Sequence, residues 1–215
     1  MKKRSKNRII IAACFLAAFI LWTAALCRID VQPIGPLGSP VGFAELNRLV
    51  HNFTGVHMTL YALTDWLGLV PILTALGFAI LGLVAWIKGK SIRKVDWSLR
   101  VLGVFYTAVM AAYVFFETHV INYRPVLIEG VPEASYPSST TLLVLCVMPT
   151  AVMQLRSRIK SKPLRHLAAA AIIAFALFMV IGRLLSGVHW FTDIVGGILL
   201  STGLVMLYHA VSNLK

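Results

Sequence analysis

The sequence predicts an all-α integral membrane protein, a six-transmembrane-helix bundle with an interfacial helix in its first outer loop. Three observations carry this prediction. The 215 residues are 59% hydrophobic and only 13% charged, with a mean hydropathy of +0.82. That composition excludes an ordinary soluble domain. Six apolar runs each suffice to cross the hydrocarbon, which takes about 20 helical residues, somewhat fewer where a helix is capped or broken. Lys and Arg are sharply segregated between the two sets of connecting loops. The length suits one membrane-embedded domain over residues 1–215, with little soluble mass attached.

The predicted spans lie at 9–27, 66–87, 97–116, 139–155, 167–181 and 192–212. The first resembles a signal peptide in position. Leu26, however, stands where a small residue is expected before a lipid-modified Cys27, so an uncleaved helix is the expectation. The outer segment 28–65 opens on a Pro/Gly-rich turn. Ser39-Pro40 then reads as a helix start, with Phe43, Leu46, Val50 and Phe53 recurring at helical spacing behind it. Such a helix serves equally as a cover packed on the bundle or as a lid. The fourth and fifth spans are short, and their ends are the least defined. In the sixth, Gly196-Gly197 permits close helix packing.

Basic clusters at 2–8, 88–100 and 156–165, with Lys215, share one side of the predicted topology. The other side holds only Arg28, Arg48, Arg124 and Arg183 of the basic residues, and every acid except Asp96. The positive-inside rule then puts both termini in the cytoplasm of a multi-pass cell-membrane protein. The net charge of +12 is explained by insertion topology and contact with anionic lipid, so no nucleic-acid partner is expected. Cys14, Cys27 and Cys146 fall within apolar runs without paired spacing, which argues against redox or metal-ligand roles.

Chemistry concentrates in two outer loops, 117–140 and 182–193. Ionisable groups beside hydrocarbon are expensive and need a reason. Arg183, His189 and Asp193 stand together at the mouth of the last span. The four-residue interval puts His189 and Asp193 on one face if the helix begins by His189. A carboxylate there holds one imidazole nitrogen and leaves the other as nucleophile or base. Arg183 offers a planar cation suited to phosphate oxygens. Arg124-Pro125 brings a second such cation, and Pro137-Ser138-Ser139-Thr140 opens the fourth span, whose N-terminal N–H groups and hydroxyls suit an anion. The pattern points to phosphoryl transfer at a membrane surface.

The chain resembles the type 2 phosphatidic acid phosphatase family of six-helix membrane enzymes. The family's third motif is Ser-Arg, five residues, His, three residues, Asp. It is matched by Arg183, His189 and Asp193, with Gly182 in place of Ser. Its first motif survives as Arg124-Pro125, with Glu117 at the Lys position. Its second, Pro-Ser-Gly-His, survives as Pro137-Ser138, with Ser139 for Gly and Thr140 for His. The resemblance implies that His189 attacks phosphorus and that Asp193 orients it. Arg124, Arg183 and the Ser138–Ser139 region would then hold the phosphate oxygens.

The family's second-motif His is its general acid, so Thr140 leaves that role open. Acid assistance is worth about 10²–10⁴-fold and matters least for a good leaving group, which favours a lipid diphosphate such as a polyprenyl diphosphate. Glu117, His119 and Glu133 are candidate substitute acids. No metal and no cofactor is expected, because the site supplies its own cations. The alternatives are a lipid phosphotransferase and a catalytically silent protein that binds or moves phospholipid. Oligomeric state is not legible.

Overall fold

The computed structural model describes residues 3–214, so Lys2 and Lys215, which the charge pattern assigns to the cytoplasm, lie outside the described residues. Among those residues the chain forms helices α1 (Lys3–Leu26), α2 (Ala44–Thr54), α3 (Met58–Leu67) and α4 (Leu69–Gly89). They are followed by α5 (Trp97–Thr118), α6 (Ser139–Arg158), α7 (Lys162–Leu185) and α8 (Phe191–Ser212). Six segments are long and apolar enough to cross a membrane, with α3 and α4 together making the second.

Two helices form the centre. In α6 and α8, 56% and 50% of the most apolar window is buried, against 17% in α1 and α5. The core around them is built from Phe19, Phe105, Tyr136, Leu142, Cys146 and Tyr208. Small residues let neighbours close in: a Cβ on Gly203 of α8 would lie 2.8 Å from Leu16 of α1. Polar ties between helices mark both ends. Ser5 Oγ donates to the Ala210 carbonyl (3.1 Å), and Trp97 Nε1 donates to the Val211 carbonyl (3.1 Å). At the opposite end Trp22 Nε1 donates to the Thr192 carbonyl (3.2 Å). These bonds matter because unpaired polar groups at membrane depth cost several kcal/mol each.

The ends of the spans differ from the sequence expectation where polar residues interrupt the apolar runs. The second span begins at Met58 rather than near 66 and breaks at Gly68, whose N–H is taken by Thr64 and Asp65. The fourth extends to Arg158, and the fifth runs from Lys162 to Leu185. Helical backbone continues through these charged and polar termini because the hydrogen bonds it makes are internal, whatever the side chains.

The expected helix between the first two spans is present, but Ser39-Pro40 does not start it. Antiparallel pairing of Gln32 with Val41 holds that stretch extended, and Pro36–Gly38 forms a 3₁₀ turn. Helix α2 begins only at Ala44, after Phe43 in a left-handed conformation (φ 48°). Phe43 thus leaves the helical stripe and stacks on Trp22, with ring centroids 5.1 Å apart. Asp30, distant in sequence, supplies the cap: its Oδ2 accepts from the Glu45 N–H at 2.8 Å. Ala44 and Asn47 face the bundle, whereas Leu46, Leu49 and Phe53 (88% exposed) form an outward apolar stripe.

Candidate active site

The N-terminal ends of the two central helices meet at one point, and the loops before them carry the ionisable groups. The Ser138 N–H donates to the Asp193 carbonyl at 3.1 Å, which joins the two ends directly. Ser138 caps α6 through its hydroxyl, which accepts from the Thr141 N–H at 3.4 Å. Helix α8 begins at Phe191, so His189 sits just outside it rather than on its first turn. Asp193 folds back as the cap, its Oδ2 accepting from the Trp190 N–H at 2.8 Å. Asn47 of α2 accepts from the Thr192 N–H (3.2 Å) and donates to Thr192 Oγ1 (3.0 Å). The Thr192 N–H of α8 is thereby taken, while the first turn of α6 offers N–H groups at Ser139 and Thr140 suited to an anion.

His189 and Asp193 do not touch as a direct hydrogen-bonded pair. Nδ1 lies 3.9 Å from Asp193 Oδ2. Ser135 Oγ stands between them, 3.1 Å from Nδ1 and 2.5 Å from Oδ2. Asn122 Nδ2 donates to the other carboxylate oxygen at 3.3 Å. The second ring nitrogen, Nε2, faces Arg183 NH2 at 3.3 Å. Burial, and then the charges of Arg183 and Arg124, hold the His189 imidazole well below its ordinary pKa. It is therefore neutral near pH 7, as a nucleophile must be.

Two guanidiniums and one phenol form the opposite wall. Arg183 is 1% exposed, and its carbon lies 4.9 Å from the centre of the Tyr61 ring. Arg124 lies 5.6 Å from the same ring, and its NH1 donates to the Tyr61 hydroxyl at 3.3 Å. Each cation also has a carboxylate partner open to solvent: Glu133 on Arg124 (3.1 Å) and Asp65 on Arg183 (3.6 Å). Thr64 Oγ1 accepts from Arg183 NH1 at 3.4 Å.

The structure thus gathers Arg124, Ser138, Arg183, His189 and Asp193 into one cluster, with Pro125 following Arg124 and Ser139 and Thr140 half-buried in the first turn of α6. Glu117, in the last turn of α5, lines a small gap with Ser135, Tyr136 and Ser139. Glu133 is engaged with Arg124. His119 is turned elsewhere: it stacks on Phe115 at 4.4 Å and bonds to the Thr118 hydroxyl and the Phe115 carbonyl. Residues outside the motifs complete the site, namely Ser135, Asn122, Asn47, Tyr61, Thr64 and Asp65. A signal for the last three was present, since 61, 64 and 65 are polar positions at helical spacing ahead of an apolar run.

Gly182 is explained by the same wall. A Cβ there would stand 2.8 Å from Thr64 Cγ2, so α3 and α7 meet only over a glycine. Turning Thr64 away would break its contact with Arg183. We therefore expect Gly182→Ser to destabilise the protein by about 1–3 kcal/mol, read as a lower thermal midpoint in detergent. An unchanged midpoint would contradict the tight contact.

Fold and site together define a class: a six-span membrane protein in which two arginines, one from the loop before α6 and one from the end of α7, flank a neutral histidine backed by a carboxylate. Residues 116–215 match the model of the PAP2 superfamily, in agreement with the resemblance carried by the motifs. The match covers α6 to α8 and both loops of the cluster. The fold is similar to the crystal structure of the first transmembrane PAP2-type phosphatidylglycerolphosphate phosphatase from Bacillus subtilis, with a TM-score of 0.58. The two share 18% identity over 93% of each chain, a likeness of fold. No curated protein matches the chain.

Proposed function

We propose that the protein is a membrane lipid phosphatase acting through a phosphohistidine on His189. The supporting observation is the convergence of Arg124, Arg183 and a neutral imidazole around one buried point. An incoming phosphate displaces Glu133 and Asp65 from the two guanidiniums, exchanging carboxylate for a more highly charged anion. Nε2 attacks phosphorus, the arginines and the first turn of α6 stabilise the charge that develops on the oxygens, and water later frees the histidine. The positive-inside rule puts both termini in the cytoplasm and this site on the outer face.

The substrate favoured is a lipid diphosphate, a polyprenyl diphosphate among them, because Thr140 supplies no imidazole to protonate the departing oxygen. A phosphate monoester leaves far more readily than an alkoxide, so the missing acid costs least there. Glu117, beside the Ser135–Ser139 gap, and Glu133, paired with Arg124, are the candidate substitute acids that lie by the cluster. Glu117 and Thr140 also favour a second reading, a silent lipid-binding protein or a phosphotransferase whose acceptor replaces water.

The test is phosphate release by detergent-purified protein from a polyprenyl diphosphate and from phosphatidate, with wild type beside His189→Ala. Release from the diphosphate, lost in the variant together with vanadate binding, is the expected result. Equal rates on both lipids would end the leaving-group explanation. Silence on both, with folded protein, would favour the binding or transferase reading.

A further inference from the structure

We propose that Ser135 is a positioning residue for His189, its hydroxyl linking the imidazole to Asp193 and fixing which ring nitrogen is free to attack. The inference rests on the phosphohistidine reading above. Ser135 is 2% exposed, and its N–H donates to the Asn122 carbonyl at 2.9 Å, so its place is set by the same loop that carries Arg124.

One arrangement of protons satisfies every contact. Asp193 faces donors on both oxygens, the Trp190 N–H on Oδ2 and Asn122 Nδ2 on Oδ1, so it serves as acceptor and the Ser135 O–H points to Oδ2 at 2.5 Å. The Ser135 lone pair is then left for Nδ1, 3.1 Å away, which must carry the ring proton. The same answer arrives independently from the other end. Arg183 only donates, so Nε2, 3.3 Å from its NH2, must present a lone pair. The direct Nδ1 to Oδ2 separation of 3.9 Å is too long for a hydrogen bond, so without Ser135 the carboxylate has no hold on the ring.

In the attack, the Nε2 lone pair forms the N–P bond. The P–O bond to the leaving group breaks with its electron pair passing to the departing oxygen. The Nδ1 proton stays on the ring, and the positive charge that the imidazole acquires is met through Ser135 by Asp193.

The experiment compares Ser135→Ala, Ser135→Thr, Asp193→Asn and the double variant Ser135→Ala/Asp193→Asn, with ¹⁵N-histidine spectra of the substrate-free protein. Ser135→Ala should lower kcat roughly 10- to 100-fold, the worth of a hydrogen bond in a charged chain, with KM nearly unchanged. Ser135→Thr keeps the hydroxyl and should recover most of the rate. The double variant should lose no more than Asp193→Asn alone, because both act through one ring. The wild-type spectrum should show His189 protonated on Nδ1, and Ser135→Ala should show a mixture of tautomers. Should the alanine variant fail to fold, Ser135→Cys, a weak donor, replaces it with the same expectation.

Wild-type kcat in Ser135→Ala, additive losses, or an Nε2-protonated ring in the wild type would each overturn the proposal. A wild type without phosphatase activity would count against the phosphatase reading, while the spectrum would still decide whether Ser135 sets the tautomer.

Discussion

Arg183→Ala should reduce kcat/KM by about 10²–10³-fold, the usual loss when one donor to a developing oxyanion is removed. The variant should also change the pH profile. The Arg183 charge helps to hold the His189 pKa below its ordinary 6.5, after burial as the larger cause. Deleting that cation moves the imidazole pKa upward, so protonated, non-nucleophilic histidine persists to higher pH. The acid limb of kcat/KM therefore lies below pH 6.5 in the wild type and shifts toward neutrality in the variant. Arg183→Lys keeps the charge and should leave the limb in place while still losing rate, because an ammonium cannot reproduce the planar fork. Kinetics of the three proteins between pH 5 and 8 separate charge from geometry. An acid limb that does not move in Arg183→Ala would sink the electrostatic account.

Gly187→Ala should be severely damaging although the residue has no chemistry of its own. Its φ is +67°, where a Cβ costs about 1–2 kcal/mol. The larger obstacle is steric: that Cβ would fall 1.8 Å from the Gly55 carbonyl oxygen, which is backbone and cannot rotate away. The approach is pinned by the His57 N–H, which donates to the Ser186 carbonyl at 2.9 Å. Alanine must therefore push the loop before His189 off the segment joining α2 and α3. We expect loss of activity and a fall in stability of more than about 3 kcal/mol, beyond ordinary overpacking. Thermal unfolding in detergent and phosphate release would measure the two effects. A folded, active Gly187→Ala protein would show that the two loops part without cost.

Much of this was legible in the sequence where the signal is local. Hydropathy located six spans, and the spacing of Arg183, His189 and Asp193 marked the cluster. Local rules failed where a distant contact won. Ser39-Pro40 has the chemistry of a helix start, yet pairing of Gln32 with Val41 holds it extended and Asp30 caps α2 instead. The four-residue interval between His189 and Asp193 suggested a direct contact, but the helix starts at Phe191, after the histidine. Ser135 then fills the gap. Nothing near Ser135 in the chain announces that role, since its partners lie 54 and 58 residues away. Tyr61, Thr64 and Asp65 carried a signal in their helical spacing, but a faint one. They occupy the broken first half of the second span, where polar residues dilute the hydropathy by which spans are found.

That first half has a wider consequence. His189, Asp193 and both arginines belong to the segment 116–215. The wall facing them, with Tyr61, Thr64, Asp65 and the buttress Asn47, is supplied by 44–67. The motif side chains and the shape of the enclosure around them are thus written in separate stretches of the gene. Exchanging 44–67 between homologous chains would keep every motif side chain and still hand the phosphate a different enclosure.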